Sequence, residues 1–224
     1  WAGETVEHDL KQLHYAASDQ ATEKHDLPPA VIMDLDETVL DNGAFQTYLY
    51  DSGQNYSDDA FIKFNIDHPD SVKLVPGAKE FIDRTESLGI TISYITNREE
   101  PLRDATIESM RLNGLNIKGM EDPSTLRLLL APHGQSVKKP RRDLVRAKYQ
   151  VLAYFGDQLG DFSDEFAATP TNTAAARLDL AETKYRDQWG TRWFVLPNPV
   201  YGQYQIVLIR GGNPEQYLRR ATSK

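Results

Sequence analysis

Apolar runs of strand length alternate along the chain with amphipathic stretches of helical period, and several of the runs end in polar or acidic residues. Ala30-Val31-Ile32-Met33 is too short to cross a bilayer and stops at Asp34-Leu35-Asp36-Glu37-Thr38-Val39-Leu40-Asp41-Asn42-Gly43, the pattern of a buried strand with acids at its tip. Further strands are predicted at Ile90–Ile95, which runs into Thr96-Asn97-Arg98, at Leu126–Leu130, at Val151–Phe155 and at Trp193–Leu196. Helices are predicted between them. One runs from Ala78 to Leu88, opened by Pro76-Gly77 and closed by Gly89, and another from Pro101 to Leu112, stopped by Asn113-Gly114. A third follows the basic stretch Lys138-Lys139-Pro140-Arg141-Arg142 to about Tyr149, and a fourth spans Ala174 to Trp189. A helix is also expected over Glu4–Lys24, and the tail carries the apolar run Ile206–Ile209 and a closing helix at Pro214–Arg220. Residues 44–70 hold Phe45, Tyr48, Tyr50, Tyr56, Phe61 and Phe64 without a strand period, which reads as a helical insertion over the acidic strand tip.

Strand, helix, strand, helix is the grammar of a parallel sheet with crossover connections. The expected fold is therefore α/β: a Rossmann-like parallel sheet flanked by helices, with a small, mainly helical cap. One domain is expected over residues 1–224, with the cap contributed by about 1–27, by 43–72 and by the C-terminal segment.

Composition narrows the chemistry. The 224 residues suffice for one large domain, and the formal net charge of -8 disfavours a nucleic acid polymer as partner. The absence of cysteine removes disulfides, thiolate metal sites and cysteine nucleophiles. The chain opens at Trp1 without an apolar leader, so a processed chain is expected, with any lipid anchor lying outside it.

Ligands of open parallel sheets gather at the carboxyl ends of the strands. Those ends carry Asp34 and Asp36, then Thr96 and Asn97, then the loop with Lys138, then Asp157 and Asp161. Taken singly, each has an ordinary explanation as an acidic turn, a helix cap or a solvated basic face. Together they suit a phosphoryl group, which needs an in-line nucleophile, a cation and donors around its oxygens. An EF-hand loop counted from Asp34 fails, because Thr38, Val39 and Phe45 fall where an acid, a glycine and a glutamate are required. Gly114–Gly119 has P-loop spacing but continues with Met120 in place of lysine, and neither HExxH nor GxSxG occurs.

Ile32-Met33-Asp34-Leu35-Asp36-Glu37-Thr38-Val39-Leu40-Asp41-Asn42, with Gly156-Asp157-Gln158-Leu159-Gly160-Asp161-Phe162 downstream and Pro197-Asn198-Pro199 before Tyr201-Gly202, resembles the bipartite signature of bacterial class C acid phosphatases. These belong to the haloacid dehalogenase (HAD) superfamily and include outer-membrane lipoprotein 5'-nucleotidases. The resemblance implies a Mg2+-dependent acid phosphatase that acts on small phosphomonoesters, with 5'-nucleotides as expected substrates, through an aspartyl-phosphate. It implies Asp34 as nucleophile, Asp36 as proton donor and acceptor, Thr96 and Lys138 on the phosphoryl group, and Asn97 beside it. Magnesium would be held by Asp34, the Asp36 main chain and Asp157, with Asp161 in or next to that set. Tyr48, Phe64 and Tyr201 are the aromatic residues expected to hold a base. Gly160 stands where many relatives carry an acid, and Phe64 where a tryptophan is usual. A periplasmic or outer-membrane-anchored location is implied by the resemblance alone, and a homodimer is compatible with it. The alternatives are a narrow-specificity sugar-phosphate or cofactor phosphatase, and a non-catalytic storage or binding relative.

Overall fold

The computed structural model describes residues 27–167, 172–198 and 200–202. The helix expected at Glu4–Lys24 and the elements expected at Ile206–Ile209 and Pro214–Arg220 lie outside the described residues. Five parallel strands form one sheet in the order β5-β4-β1-β6-β7: β1 Pro29–Met33, β4 Thr91–Glu99, β5 Leu128–Ala131, β6 Gln150–Gly156 and β7 Trp193–Val195. The two-residue strands β2 (Leu40–Asp41) and β3 (Lys73–Leu74), which the apolar pattern does not reveal, pair antiparallel.

The central strand shows why the sheet is covered on both faces. Its side chains alternate with period two: Val31 and Met33 enter one core with Ile82 of α3 (Ala78–Ser87) and Met110 of α4 (Arg103–Leu112). Ala30 and Ile32 enter the other core with Val145 of α5 (Lys139–Lys148), where Leu180 of α6 (Ala174–Glu182) also packs. Strand order turns back on itself at β1, which has β4 on one side and β6 on the other, so their carboxyl ends face a common crevice.

Three boundaries differ from the sequence expectation. β4 continues through Thr96, Asn97 and Arg98 to Glu99, past the end of its apolar run, because its last residues contact the site rather than the core. β5 begins only at Leu128, since Leu126 adopts a left-handed φ of 58° that breaks the strand. α6 ends at Glu182 instead of reaching Trp189; a turn follows, which lets Tyr185 and Trp189 both pack on Trp193.

Residues 43–67 form a two-helix unit beyond the β1 tip: α1 (Gly43–Ser52) and α2 (Asp58–Asp67). Ser57 caps α2 by accepting the Ala60 N–H (3.1 Å), with Asp58 and Asp59 in the first turn where the helix dipole favours acids. The unit has its own small core of Phe45, Leu49 and Phe64.

Candidate active site

Backbone geometry at the end of β1 sets the site. The Asp34 N–H donates to the Phe155 carbonyl on β6 (2.9 Å), and the Leu35 carbonyl then accepts from the N–H groups of Thr38, Val39 and Leu40. Glu37 sits in the middle of this turn with φ 59°, a left-handed conformation that costs a non-glycine residue and recurs at functional sites. The turn buries Leu35 and Val39 and leaves Asp34 and Asp36 on the wall of a cavity of about 640 Å3.

Asp34 is buried, and Lys138, at the start of α5, donates to its carboxylate. The same Nζ donates to Asp161 Oδ1 (2.6 Å), while Asp161 Oδ2 accepts the Gln158 N–H (2.8 Å). Gly156, the last residue of β6, makes this approach possible: a Cβ there would lie 2.3–2.6 Å from Asp161 side-chain atoms. Asp157 accepts from the side-chain amides of Gln158 (2.6 Å) and Asn198 (2.7 Å). Burial, together with the neighbouring carboxylates of Asp161, Asp157 and Asp36, holds the Asp34 carboxyl well above its ordinary range, and Lys138 only partly offsets this. Asp157 is raised as well, first by burial and then by Asp161. Lys138 is raised by Asp161 and Asp34 against its own burial and stays a cation.

Asp36 is held differently. Arg98, buried on β4, grips it through Nε (3.0 Å) and Nη2 (2.8 Å), and Asn42 Nδ2 adds a third donor (2.9 Å). Arg98 and these hydrogen bonds outweigh burial, so Asp36 lies below the usual carboxylate range. Arg98 also donates to Thr106 (3.1 Å), and its guanidinium lies 5.3 Å from the Phe61 ring centre.

Lys138, Asn97, Asp157, Asp161 and Tyr201 reach the cavity with Asp34 and Asp36. Three expected residues stand elsewhere. Thr96 is fully buried; its hydroxyl accepts the Arg98 N–H (3.1 Å) and turns toward Asp36 (3.4 Å) rather than into the cavity. Phe64 belongs to the core of the two-helix unit, and Tyr48 packs against it with ring centres 5.4 Å apart, so neither lines the cavity. Phe45, Tyr56 and Phe61 line it instead. Phe61 and Phe64 lie three residues apart on one face of α2 and both pack on Phe45, but only Phe61 also reaches the cavity.

Arg98, Asn42, Glu37 and Asn198 are contacts that the strand-end pattern does not single out. Glu37 Oε1 accepts from the Tyr201 hydroxyl (3.0 Å) and the Asn42 N–H (3.3 Å). With the Asn198–Asp157 and Gln158–Tyr201 bonds, it fastens the segment after β7 across the strand ends.

Carboxylate oxygens of Asp34, Asp157 and Asp161 come within 4.8 Å of one another. Around them the carboxylates of Asp34, Asp36, Asp157 and Asp161 outnumber the cations Lys138 and Arg98, and the donor set is all oxygen. A hard divalent cation fits that excess of negative charge.

Residues 2–204 match the family described as HAD superfamily, subfamily IIIB (acid phosphatase). The chain belongs to this family. It is a phosphomonoesterase. A class C acid phosphatase from Bacillus anthracis, solved with tungstate bound, superposes with a TM-score of 0.75 at 26% identity, over 100% of this chain and 88% of that one. A second structure of the Bacillus anthracis enzyme gives 0.73 at 27% identity with the same coverage. The parallel sheet and flanking helices of this acid phosphatase are thus those of its relatives.

Proposed function

We propose that this acid phosphatase is a magnesium-dependent enzyme working through an aspartyl-phosphate at Asp34, with 5'-nucleotides as its preferred substrates. The observation that carries the mechanism is the Asp34–Lys138–Asp161 chain: a buried carboxylate at the strand tip, with a buried cation fixed beside it. Asp34 attacks phosphorus, and Lys138 neutralises charge on the nucleophile and the transferring oxygens. Asn97 Oδ1 accepts from Arg141 Nη2 (3.1 Å), and an arginine can only donate, so the Asn97 amide keeps its Nδ2 donors for the phosphoryl oxygens. Asp34, Asp157 and the Asp36 main chain would hold the cation, which supplies charge neutralisation to the phosphoryl group when bound. Asp161, whose two oxygens already accept from Lys138 and Gln158, aligns Lys138 beside that set. Tungstate, bound in the Bacillus anthracis structure, is a tetrahedral oxyanion of the same shape class as phosphate.

Asp36 hands a proton to the leaving alkoxide as the ester P–O bond breaks and then takes one from the water that cleaves the aspartyl-phosphate. Arg98 favours its carboxylate form, so the donating step is the one that acid pH promotes. A phenolate leaving group, which needs no proton, is the natural first probe.

The nucleotide preference rests on cavity size and lining: 640 Å3 exceeds what a small sugar phosphate fills, and Phe45, Tyr56, Phe61 and Tyr201 offer aromatic faces. The helical unit of α1 and α2, with the segment after β7, acts as the cap. Two measurements test this reading. p-Nitrophenyl phosphate and AMP should be hydrolysed at mildly acid to neutral pH, with activity lost on EDTA treatment and restored by Mg2+; activity unaffected by EDTA would overturn the cation requirement. Phe61→Leu and Tyr201→Phe should differ: loss of the Phe61 ring raises KM for AMP about tenfold, from about 1–3 kcal/mol of stacking, and leaves KM for the aryl phosphate little changed. Tyr201→Phe keeps the ring and should move KM for AMP far less. Equal KM changes for both substrates in Phe61→Leu would remove the stacking role.

A further inference from the structure

Arg141 and Arg142 are consecutive, cationic and buried, with 6% and 4% of their surfaces exposed, yet neither lines the cavity. They lie three and four residues after Lys138 at the start of α5, so all three side chains leave one face of the helix. Each reaches a different strand end. Lys138 takes the tip of β1. Arg141 donates to the Thr96 carbonyl and to Asn97 Oδ1 on β4, and to the Val137 carbonyl in its own loop. Arg142 donates to the carbonyls of Gly160 (3.0 Å) and Asp161 (3.2 Å) beyond β6, and its other nitrogen pairs with Asp164 (2.8 Å). A buried cation is costly unless it is paired, and the terminal nitrogens of these two are spent on the end of β4 that carries Asn97 and on the segment that carries Asp161.

We infer that α5 is a two-armed brace for the site, in which Arg141 is the positioning residue for Asn97 and Arg142 the positioning residue for Asp161. The inference rests on the reading above, in which Asp34, Asp157 and the Asp36 main chain hold the divalent cation, Asp161 fixes Lys138 beside them, and Asn97 meets the phosphoryl oxygens. The arms are separable because they serve different halves of the site. A lysine at either position keeps the charge but cannot span two acceptors with a planar fork.

The test compares Arg141→Lys and Arg142→Lys in the whole chain by two readouts. One is the Mg2+ concentration at half the cation-induced rise in Tm, and the other is the inhibition constant of inorganic phosphate at saturating Mg2+. Arg142→Lys should raise the Mg2+ midpoint about tenfold or more and move phosphate inhibition little. Arg141→Lys should weaken phosphate inhibition about tenfold and leave the Mg2+ midpoint near that of the parent. Two purely structural arginines would lower Tm without Mg2+ in both variants and fail to separate the readouts, which overturns the brace, as would parental values of both readouts. If Arg142→Lys does not fold, Asp164→Asn frees the same guanidinium and should raise the Mg2+ midpoint in the same direction; an unchanged midpoint there overturns that arm. Asp157→Asn separates the two levels of the argument. If it retains the parental Mg2+ midpoint, the cation site itself is misread; if it loses the Mg2+ response while Arg142→Lys keeps the parental midpoint, only the brace fails.

Discussion

Asp34→Asn should be inactive and, without divalent cation, more stable than the parent at neutral pH. The activity loss follows from removing the proposed nucleophile, and about 10^4-fold or more in kcat is the expected size for a group on which covalent chemistry depends. The stability gain follows from linkage. The folded-state pKa of Asp34 is raised well above its ordinary value of 3.8, so the folded chain binds the extra proton. Its ionisation in the folded protein therefore costs stability as pH rises from that value through the folded one, and the cost persists above it. Asparagine is never ionised, and Lys138 keeps Asp161 as its partner. The stability difference between variant and parent should widen from mild acid toward neutral pH and shrink when Mg2+ stabilises the parent. A variant that is less stable than the cation-free parent at neutral pH would show that Lys138 holds Asp34 low, contrary to the assignment.

Arg98→Ala should be the most damaging single change outside the cluster of carboxylates around Asp34. It strips Asp36 of its two-pronged partner while leaving the carboxylate largely buried, the situation in which breaking one side of an ion pair costs about 3–5 kcal/mol. It also frees Thr106 and removes the cation beside Phe61. Asp36 has a depressed folded pKa, so its contribution is present above its unfolded value and is lost as pH falls through the folded one. The destabilisation should accordingly be full at neutral pH and decline in strong acid, as followed by urea unfolding across pH. Turnover of p-nitrophenyl phosphate should fall by about 10^2-fold or more, because the base that activates water is no longer held in place. A loss of stability independent of pH would assign Arg98 to packing alone.

The strand-and-helix order was readable because the buried strands are mostly apolar runs and the helices α3 and α4 carry stop signals at Gly89 and Asn113-Gly114, whereas α6 has none and was expected to run on to Trp189. The strand-end clusters at Asp34, Asn97, Lys138 and Asp157–Asp161 could be read for the same reason: the apolar run marks where the strand ends, and the sheet brings those ends together. Arg98 escaped because it lies past the apolar run of β4, where strand pairing continues on polar residues. The basic stretch at Lys138–Arg142 resembles a solvated face in composition, yet Lys138, Arg141 and Arg142 point inward, and only acceptors from distant loops reveal that. Phe64 and Phe61 could not be told apart because they share one face of the insertion helix and both pack in its small core, and composition does not say which of them also reaches the cavity. The tie from Glu37 to Tyr201 joins residues 164 positions apart and has no local signature.

Acid quenching of the enzyme during turnover of p-nitrophenyl phosphate with Mg2+, followed by borohydride reduction and peptide mapping, tests the aspartyl-phosphate most directly. The predicted result is a reduced adduct at Asp34, absent from Asp34→Asn and from enzyme stripped with EDTA. Rapid hydrolysis with no adduct under conditions that trap acyl phosphates, or an adduct on another residue, would contradict it.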